Sequence, residues 1–492
     1  MAPTFTTKTG DPAGAAADAL IVSIGAGAAV PDGIAGAFDG QLAGVLEASG
    51  FTGKRGELVA LPTFGKLAAR TLILAGIGER TAEAGRWGEA LRRAYGAAAK
   101  RARDEGARTI AAATPAGADM AELGAIVEGI ALALYRFTRY KTGAAATPAK
   151  AIEAVELWAE GDATDAVARG VAVAAGVALA RDLVNTISDD KTPSQIAAWA
   201  RRVADEAGLA CTVLDRAALE AGGYHSILTV GKGSAAEPRL IELVYEPVGG
   251  ATKTVAIVGK TITFDSGGLD LKTADGMYTM KTDMGGGAAV LGAMQAVAAL
   301  KPGVKVIGLL TAAENMPSGT AMRPSDVVTA LNGKTFEIGN TDAEGRMVLA
   351  DAVTHAARAG ADEIIDLATL TGAKMVALGS LAVGAFGNDQ ALMDRFLTSA
   401  AAAGERVWQL PTWDEYKDGL KSDIADLKST GGRGGGAITA ALFIGEFVEG
   451  KPWVHLDIAG SAATDADGPY TPKGATGVMV RSLLRYLEDA GK

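Results

Sequence analysis

The sequence of 492 residues has a single cysteine and three histidines. One cysteine can form neither an internal disulfide nor a thiolate metal cluster, so the composition suits a reducing compartment and predicts a cytoplasmic protein. The histidines, His225, His355 and His455, are far apart, which excludes a zinc peptidase of the H-E-x-x-H kind. The G-x-S-x-G motif of serine hydrolases is also absent.

Positive charge is in short supply. Lys and Arg number 47 against 57 Asp and Glu, a net charge of −10, so composition disfavours binding to nucleic acid or anionic lipid. The longest apolar stretch, residues 284–300, is slightly short for a membrane span of about 20 residues and predicts a buried helix. Residues 1–10 lack the apolar segment of a signal peptide. We therefore predict no membrane role and no secretion.

Hydrophobic residues make up 49% of the chain and charged residues 21%, which is typical of a folded globular protein. The length predicts two or more domains. In the first third, apolar runs at 19–23, 57–61, 71–76 and 154–160 predict strands, and 86–106 predicts a long amphipathic helix. The strand pattern breaks at Gly161, and we place the domain boundary there. This predicts domains at 1–161 and 162–492, with a connecting helix at about 163–186.

The remainder again alternates strands and helices. Strands are predicted at 254–258, 305–311, 363–369 and 453–457, and helices at 287–300 and 347–359. This spacing predicts an α/β fold: a smaller N-terminal α/β domain and a larger C-terminal α/β domain, whose mostly parallel or mixed central sheet is covered by helices. Such sheets bind ligands at the carboxyl ends of their strands.

Acidic residues concentrate in the segment N-T-D-A-E-G-R at 340–346. Asp342, Glu344 and Arg346 alternate with small residues, so we expect an extended loop that directs all three side chains to one side. Neighbouring carboxylates raise each other's pKa unless cations compensate, and Arg346 supplies one positive charge at most. A bound metal is the natural compensation.

Two further acids fit the same site. Asp265 follows the strand predicted at 254–258, and Asp283 precedes the apolar helix. With Asp342 and Glu344 they could hold two divalent ions about 4 Å apart, an arrangement that activates water and polarises a carbonyl. Mg, Mn, Co or Zn would all suit oxygen ligands. The alternative is four separately solvated surface acids.

The triplet Gly-Lys-Thr at 259–261 suggests a nucleotide-dependent enzyme. A phosphate-binding loop requires a further glycine at position 254, where the sequence has Thr254. The sequence therefore lacks a glycine that the turn of a phosphate-binding loop needs. Only a measurement of tight nucleotide binding would support this alternative.

With these segments, the chain resembles the leucine aminopeptidase family, the cytosolic metallo-aminopeptidases. The family signature N-T-D-A-E-G-R-[LM]-x-L-A-D-A is unbroken at 340–352 as NTDAEGRMVLADA. Further agreement lies in ARDLVNT (180–186), TFDSGG (263–268), DLATLTGA (366–373), KSDIADLK (421–428), GGAITAALF (435–443) and HLDIAG (455–460). The resemblance covers essentially all of the second domain, whereas the first domain is similar only in layout.

The resemblance implies a leucyl aminopeptidase that hydrolyses N-terminal residues, preferably leucine and other apolar residues, from peptides. It implies two divalent metal ions, Mn or Zn with Mg or Co possible, and a hydroxide bridging them as the attacking group. The implied metal ligands are Lys260, Asp265, Asp283, Asp342 and Glu344. A lysine ligand must be neutral, so the ions have to depress its pKa.

The same resemblance implies two catalytic residues and a substrate pocket. Lys272 would stabilise the negative charge of the tetrahedral intermediate, and Arg346 would hold a bicarbonate ion that acts as general base. The positions implied for substrate binding are Met280, Thr369, Leu370 and Gly372. The family also implies a homo-hexamer whose active sites face an interior cavity.

Some positions depart from the family pattern. Thr261 replaces a glycine that is common after the ligand lysine, and residues 285–287 are unusually rich in glycine, which predicts local flexibility beside Asp283. A rival hypothesis is a binding or scaffold protein that kept the fold and lost the chemistry. The intact charges at the implied site positions favour an active enzyme.

Overall fold

The computed structural model describes residues 3–83, 85–143, 146 and 150–491. The chain forms two compact units. The first comprises the residues up to Ala174 together with Ala402–Gly404 and Asp465–Lys473, and the second comprises Ala175–Ala401, Glu405–Thr464 and the residues from Gly474 onward.

The first unit is a sheet covered by helices. Its strands are β1 Thr4–Lys8, β2 Ala19–Gly25, β3 Leu58–Pro62, β4 Thr71–Gly78, β5 Thr109–Ala113 and β6 Ala154–Trp158. Its helices are α1 Asp32–Ala37, α2 Gln41–Ser49, α3 Arg86–Asp104, α4 Met120–Leu134 and the first part of α5 Thr164–Asn185, which continues into the second unit. The four predicted strands and the long amphipathic helix are confirmed to within a few residues.

This six-stranded sheet has the order β1-β6-β5-β2-β4-β3, and every neighbouring pair is parallel except β3 with β4. Side chains along β2 alternate between the two faces. Ile21 packs in one cluster with Leu91 of α3, whereas Leu20 packs in another with Ile34 of α1 and Leu42 of α2. Both faces are therefore buried, as a largely parallel sheet requires.

The second unit holds the remaining elements. Its strands are β7 Ala210–Leu214, β8 Arg239–Tyr245, β9 Thr254–Asp265, β10 Lys305–Asn315, β11 Val327–Thr329, β12 Thr335–Glu337, β13 Glu363–Ala368, β14 Val383–Gly387, β15 Val407–Gln409, β16 Leu427–Lys428, β17 Trp453–Asp457, β18 Ala463–Thr464 and β19 Gly474–Ala475. Its helices are α6 Pro193–Ala207, α7 Arg216–Gly222, α8 His225–Gly231, α9 Ala274–Tyr278, α10 Gly285–Leu300, α11 Glu344–Arg358, α12 Gly372–Leu378, α13 Gln390–Ala403, α14 Gly436–Gly445 and α15 Val480–Ala490.

The central sheet of this unit has eight strands in the order β15-β14-β17-β13-β9-β10-β8-β7. The neighbours β10, β9, β13 and β17 are parallel, as the strand–helix alternation predicts. The sheet is mixed because β8 runs antiparallel to β10, β7 to β8, and β14 to β17. The α/β architecture with a mixed central sheet is confirmed.

The carboxyl ends of the four parallel strands lie at one edge of this sheet. β9 ends at Asp265, β10 at Asn315 and β17 at Asp457, while β13 ends one residue before Thr369. Strands β9 and β10 are longer than predicted, because each continues past its apolar run to a polar terminal residue. This edge gathers polar side chains where α/β sheets bind ligands.

Helix α10 packs directly on the sheet. A Cβ atom on Gly286 would lie 2.0 Å from the Leu367 carbonyl oxygen, and one on Gly287 would lie 2.0 Å from Thr261 Oγ1. The expectation of flexibility at 285–287 is therefore wrong: these glycines are buried helical residues that allow the helix and the strands to approach closely. Residues Met280–Leu300 are long and apolar enough to cross a membrane by composition alone, but 78% of the apolar window is buried, which confirms the predicted core helix.

Candidate active site

The residues implied as metal ligands lie on three segments at the carboxyl edge of the sheet. Lys260 and Asp265 belong to β9, Asp283 lies between a short 3-10 turn and α10, and Asp342 and Glu344 lie at the start of α11. Lys260 and Asp265 are five residues apart, which in a regular strand would place them on opposite faces. A β-bulge removes this conflict, because residues 263 and 264 of β9 together oppose one residue of β10.

The predicted extended loop at 340–346 is wrong. Asn340 Oδ1 accepts a hydrogen bond from Asp342 N (2.7 Å), which forms a turn, and α11 begins at Glu344. Asparagine and aspartate before a helix, with a glutamate in its first turn, are a helix-start signal, and it outweighs the alternation of large and small residues. Glu344 and Arg346 are therefore buried residues of a helix.

The four carboxylates and two lysines form one cluster. Asp265, Asp342 and Glu344 each offer a carboxylate oxygen, and these oxygens lie within 4.8 Å of one another. Lys260 Nζ lies 2.8 Å from Asp283 Oδ2 and 2.6 Å from Glu344 Oε1. Lys272 Nζ lies 2.8 Å from Asp265 Oδ2 and also contacts Asp342 Oδ1. All five implied ligands and the implied catalytic lysine thus converge.

The cluster is short of positive charge. Burial raises the pKa of Glu344 to about 8, with a further contribution from Asp265 that Lys260 opposes. Burial likewise raises the pKa of Asp283 to about 6, against the effect of Lys260. Burial and the Asp265 carboxylate raise the pKa of Asp342 in the same direction. Four acids facing two ammonium groups favour the binding of a cation.

The donor atoms fit divalent metal ions. Three oxygens are buried and, within the described part of the chain, make no hydrogen bond of good geometry, although lysine nitrogens lie near them: Asp283 Oδ2, Asp342 Oδ1 and Glu344 Oε1. Burial lowers the pKa of Lys260, but the Asp283 and Glu344 carboxylates outweigh that effect and raise it above the usual value. A metal would bind the neutral amine, so Lys260 would have to release its proton.

Arg346 lies beside this cluster on α11 and offers a site for an anion. Its Nη1 donates to the Ser429 carbonyl oxygen (2.9 Å), while its buried Nε finds no hydrogen-bond partner among the described residues. Burial lowers the pKa of Arg346 to about 10, against the effect of Glu344 and Asp457. A buried guanidinium N–H of this kind suits a small anion with several acceptor oxygens.

The implied pocket residues come from two segments, one just before Asp283 and one just after β13. Thr369 touches the cluster directly: its carbonyl oxygen accepts from Lys260 Nζ (3.0 Å) and its Oγ1 donates to Asp283 Oδ1 (2.7 Å). Leu370 follows and is half-buried, Gly372 begins α12, and Met280 is a half-buried residue of the 3-10 turn before Asp283.

Two further buried residues, which were not predicted, make hydrogen bonds to the segments beside the site. Asp457 is fully buried and accepts from Leu370 N (3.2 Å) and Thr371 Oγ1 (2.6 Å). Lys191 is also fully buried, and its Nζ donates to carbonyl oxygens at the end of α5 and to the Lys281 carbonyl oxygen (2.6 Å). Asp457 ends a buried strand, the same signal that identified Asp265, whereas a lysine in a polar segment gives no such signal.

The nucleotide-binding alternative has no support in the local structure. Residues 259–261 lie inside β9 and form no loop between a strand and a helix, as a phosphate-binding motif requires. Lys260 is engaged by Asp283 and Glu344.

Family models match both parts of the chain. The model described as "Cytosol aminopeptidase family, catalytic domain" matches residues 178–484, and the model described as "Cytosol aminopeptidase family, N-terminal domain" matches residues 25–144. The second match extends the likeness to the first domain, where the sequence motifs alone gave only a similar layout.

Individual proteins agree along nearly the whole chain. A protein of Roseiflexus castenholzii named "Probable cytosol aminopeptidase" is 43% identical, covering 98% of this chain and 99% of its own. One of the same name from Solibacter usitatus is 46% identical, covering 96% of each. Among solved structures, a mutant of tomato leucine aminopeptidase has a TM-score of 0.89 at 32% identity, covering 99% of this chain and 97% of its own. The "Bottromycin maturation enzyme BotP in complex with Mn" has a TM-score of 0.87 at 37% identity, covering 97% and 100%.

Proposed function

The chain belongs to the cytosol aminopeptidase family and is a metal-dependent aminopeptidase acting on peptides, and on this premise we propose its metal ligands, its catalytic residues and its specificity. The proposed reaction removes N-terminal residues, preferably leucine and other apolar residues. The observation that carries the proposal is the convergence of four carboxylates and Lys260, with three of the carboxylates each keeping a buried oxygen that has no hydrogen bond from the residues described.

Two divalent ions would be held by Lys260, Asp265, Asp283, Asp342 and Glu344. Manganese or zinc is our first choice, with magnesium or cobalt possible, because carboxylate oxygens and one amine suit all four. When bound, such a pair of ions supplies an activated water molecule and a Lewis acid for the scissile carbonyl.

The remaining chemistry belongs to the chain's own side chains. Lys272 Nζ, beside Asp265 and Asp342, would donate a hydrogen bond to the substrate oxygen that becomes negative in the transition state. Burial lowers the pKa of Lys272, but the Asp265 and Asp342 carboxylates raise it above the usual value. Arg346 would hold a bicarbonate ion, the proposed general base, through its unpaired Nε.

Specificity would come from Met280, Thr369, Leu370 and Gly372. Met280 and Leu370 are half-buried apolar residues that would contact the substrate side chain, and a Cβ on Gly372 would meet nothing within 4 Å, which leaves room beside it. Thr369 is fixed by Asp283 and Lys260, so the wall of the pocket and the ligand cluster form one connected structure. Such a pocket favours apolar side chains over charged ones.

Chelation tests the proposal. The protein is stripped with a strong chelator, assayed on a leucine anilide, and reconstituted separately with manganese, zinc, magnesium and cobalt. We expect activity to disappear on stripping and to return with at least one metal. Full activity after exhaustive removal of metal would contradict the proposed site. A panel of amino-acid amides then ranks leucine against alanine, lysine and glutamate, and a preference for a charged residue would contradict the proposed specificity.

We also propose a cytoplasmic homo-hexamer. The relatives are named cytosol aminopeptidases, and large apolar side chains are exposed in and just after α12, at Met375, Val376 and Leu381. Burial of such a surface by further copies is a usual reason for its exposure in one chain. Analytical ultracentrifugation measures the assembly, and a monomer at micromolar concentration would contradict the hexamer.

A further inference from the structure

Asn315 joins two segments of the ligand cluster. It is the last residue of β10, it pairs with Asp265 at the end of β9, and its side chain is 1% exposed. Its Nδ2 donates both amide hydrogens, one to Asp265 Oδ1 (2.8 Å) and one to the Thr341 carbonyl oxygen (3.0 Å). Thr341 directly precedes Asp342, so one side chain contacts the loops that carry two proposed ligands.

The main chain of Asn315 strengthens the same connection. Its carbonyl oxygen accepts from Ser266 N (3.0 Å) and from Ser266 Oγ (2.8 Å). The bulge in β9 places Asp265 opposite Asn315, so that the side-chain and main-chain bonds form together. Asn315 therefore contacts both Asp265 and the residue that follows it.

These bonds determine which oxygen Asp265 presents to the cluster. Asp265 Oδ1 accepts from Asn315 Nδ2 and from Gly267 N (2.9 Å), whereas Oδ2 faces Lys272. With Oδ1 held by two donors, the carboxylate plane is fixed, and Oδ2 is the oxygen that remains toward Lys272 and the rest of the cluster. An amide suits this position because it provides two donors without adding charge.

We propose that Asn315 is a positioning residue that sets the orientation of Asp265 and its separation from Asp342 for metal binding. This inference rests on the proposed function, because its object is the metal pair. Hydrogen-bond partners of metal ligands orient them, and their loss costs about 10- to 100-fold in metal affinity or activity.

The loop at 341 does not depend on Asn315 alone for its fold. Thr341 N donates to Asp270 Oδ2 (2.7 Å), and Asp270 N donates to Thr341 Oγ1 (2.8 Å). Removing the Asn315 amide should therefore loosen the ligands while the loop keeps its course. This separates a positioning role from a purely structural one.

The test compares Asn315→Ala and Asn315→Leu with the wild type. Leucine keeps the size and branching of asparagine and removes both donors, so it covers the case in which the alanine variant fails to fold. Asn332→Ala is the matched control, because the Asn332 side chain also makes two hydrogen bonds. Its Oδ1 accepts from Lys334 N and its Nδ2 donates to the Glu446 carbonyl oxygen, and neither partner belongs to the cluster. Manganese affinity is measured by calorimetry on chelator-stripped protein, and the thermal midpoint is measured in chelator.

We expect the Asn315 variants to bind manganese about 10- to 100-fold more weakly, with a lower thermal midpoint in chelator because two buried hydrogen bonds are lost. The control, which also loses two hydrogen bonds, should show a lower midpoint with wild-type manganese affinity. Variants that bind manganese as tightly as the wild type would overturn the positioning role and leave the proposed function intact. A fall in the chelator midpoint without a change in affinity would assign Asn315 a structural role and also overturn it. A wild type that binds no manganese, zinc, magnesium or cobalt would overturn both this inference and the proposed function.

Discussion

Replacing Gly287 by alanine tests whether the close approach of α10 to β9 supports the site. The added Cβ would lie 2.0 Å from Thr261 Oγ1, 2.9 Å from Thr261 Cβ and 3.0 Å from Thr261 Cγ2. Real Cβ contacts essentially never fall below 3.0 Å, so either the helix or the strand has to move. Thr261 is fully buried and directly follows Lys260, which means that the movement reaches the ligand cluster.

The expected cost follows from two opposing effects. Forcing an extra methyl group into a packed core costs about 1–3 kcal/mol. Alanine in a helix is favoured over glycine by up to about 1 kcal/mol, and this offsets part of the cost. We therefore expect Gly287→Ala to destabilise the protein by on the order of 1–2 kcal/mol. Gly44→Ala is the matched control, because Gly44 lies in α2 and a Cβ there would meet nothing within 4 Å.

Thr261→Gly provides the decisive comparison. Alone it should destabilise, because it removes a buried methyl group and the hydrogen bond from Thr261 Oγ1 to the Gly259 carbonyl oxygen (2.9 Å). In the Gly287→Ala background it removes the clashing atoms and should stabilise. Contacting residues of this kind are expected to deviate from additivity by about 0.5–3 kcal/mol.

The assay is the thermal midpoint of the wild type, both single variants and the double variant, at one fixed metal concentration because bound metal shifts the midpoint. The sign of the Thr261→Gly effect should reverse between the two backgrounds. This comparison needs no two-state assumption, which a two-unit chain does not guarantee. Additive effects, or a Gly287→Ala protein as stable as the wild type, would refute the close-packing argument.

Two further predictions concern the chemistry. Glu344→Gln should abolish metal binding at its position and reduce turnover by orders of magnitude with the fold intact, because an amide supplies neither the charge nor the donor strength of a carboxylate. Circular dichroism checks the fold and metal analysis checks the binding. Near-normal turnover would remove Glu344 from the site. Added bicarbonate should stimulate the wild type, and Arg346→Met should abolish that response while leaving metal content unchanged; an equal response in both proteins would show that Arg346 does not hold the base.

The apolar strands and the polar residues at their ends were predictable. The runs at 254–258 and 305–311 identify two neighbouring strands of the sheet, and the rule that ligands lie at strand carboxyl ends singles out Asp265. The predicted strands end too early because periodicity stops at Gly259 and Lys260. Pairing with β10 continues β9 to Asp265, whereas pairing with β13 ends at Gly259, and such long-range pairing is not visible in a local pattern.

The errors at 285–287 and 340–346 have different physical causes. A glycine run permits either flexibility or close packing, and only the partner across the interface decides which. Here that partner is Thr261 for Gly287 and the Leu367 carbonyl for Gly286, residues that are distant in the sequence. At 340–346 the error is local: the alternation of large and small residues predicts an extended loop, whereas the Asn340 turn and the start of α11 at Glu344 follow from backbone hydrogen bonding that side-chain size does not report.

The convergence of the site depends on strand order, which local sequence does not encode. Lys260, Asp283 and Glu344 meet because α10 and α11 both pack on β9, and Lys260 projects between the two carboxylates. A lysine inside an apolar strand would be costly to bury without such partners. Because the four carboxylates outnumber the two lysines, the cluster keeps a net negative charge. This excess distinguishes a site for cations from a set of ion pairs that only stabilises the fold.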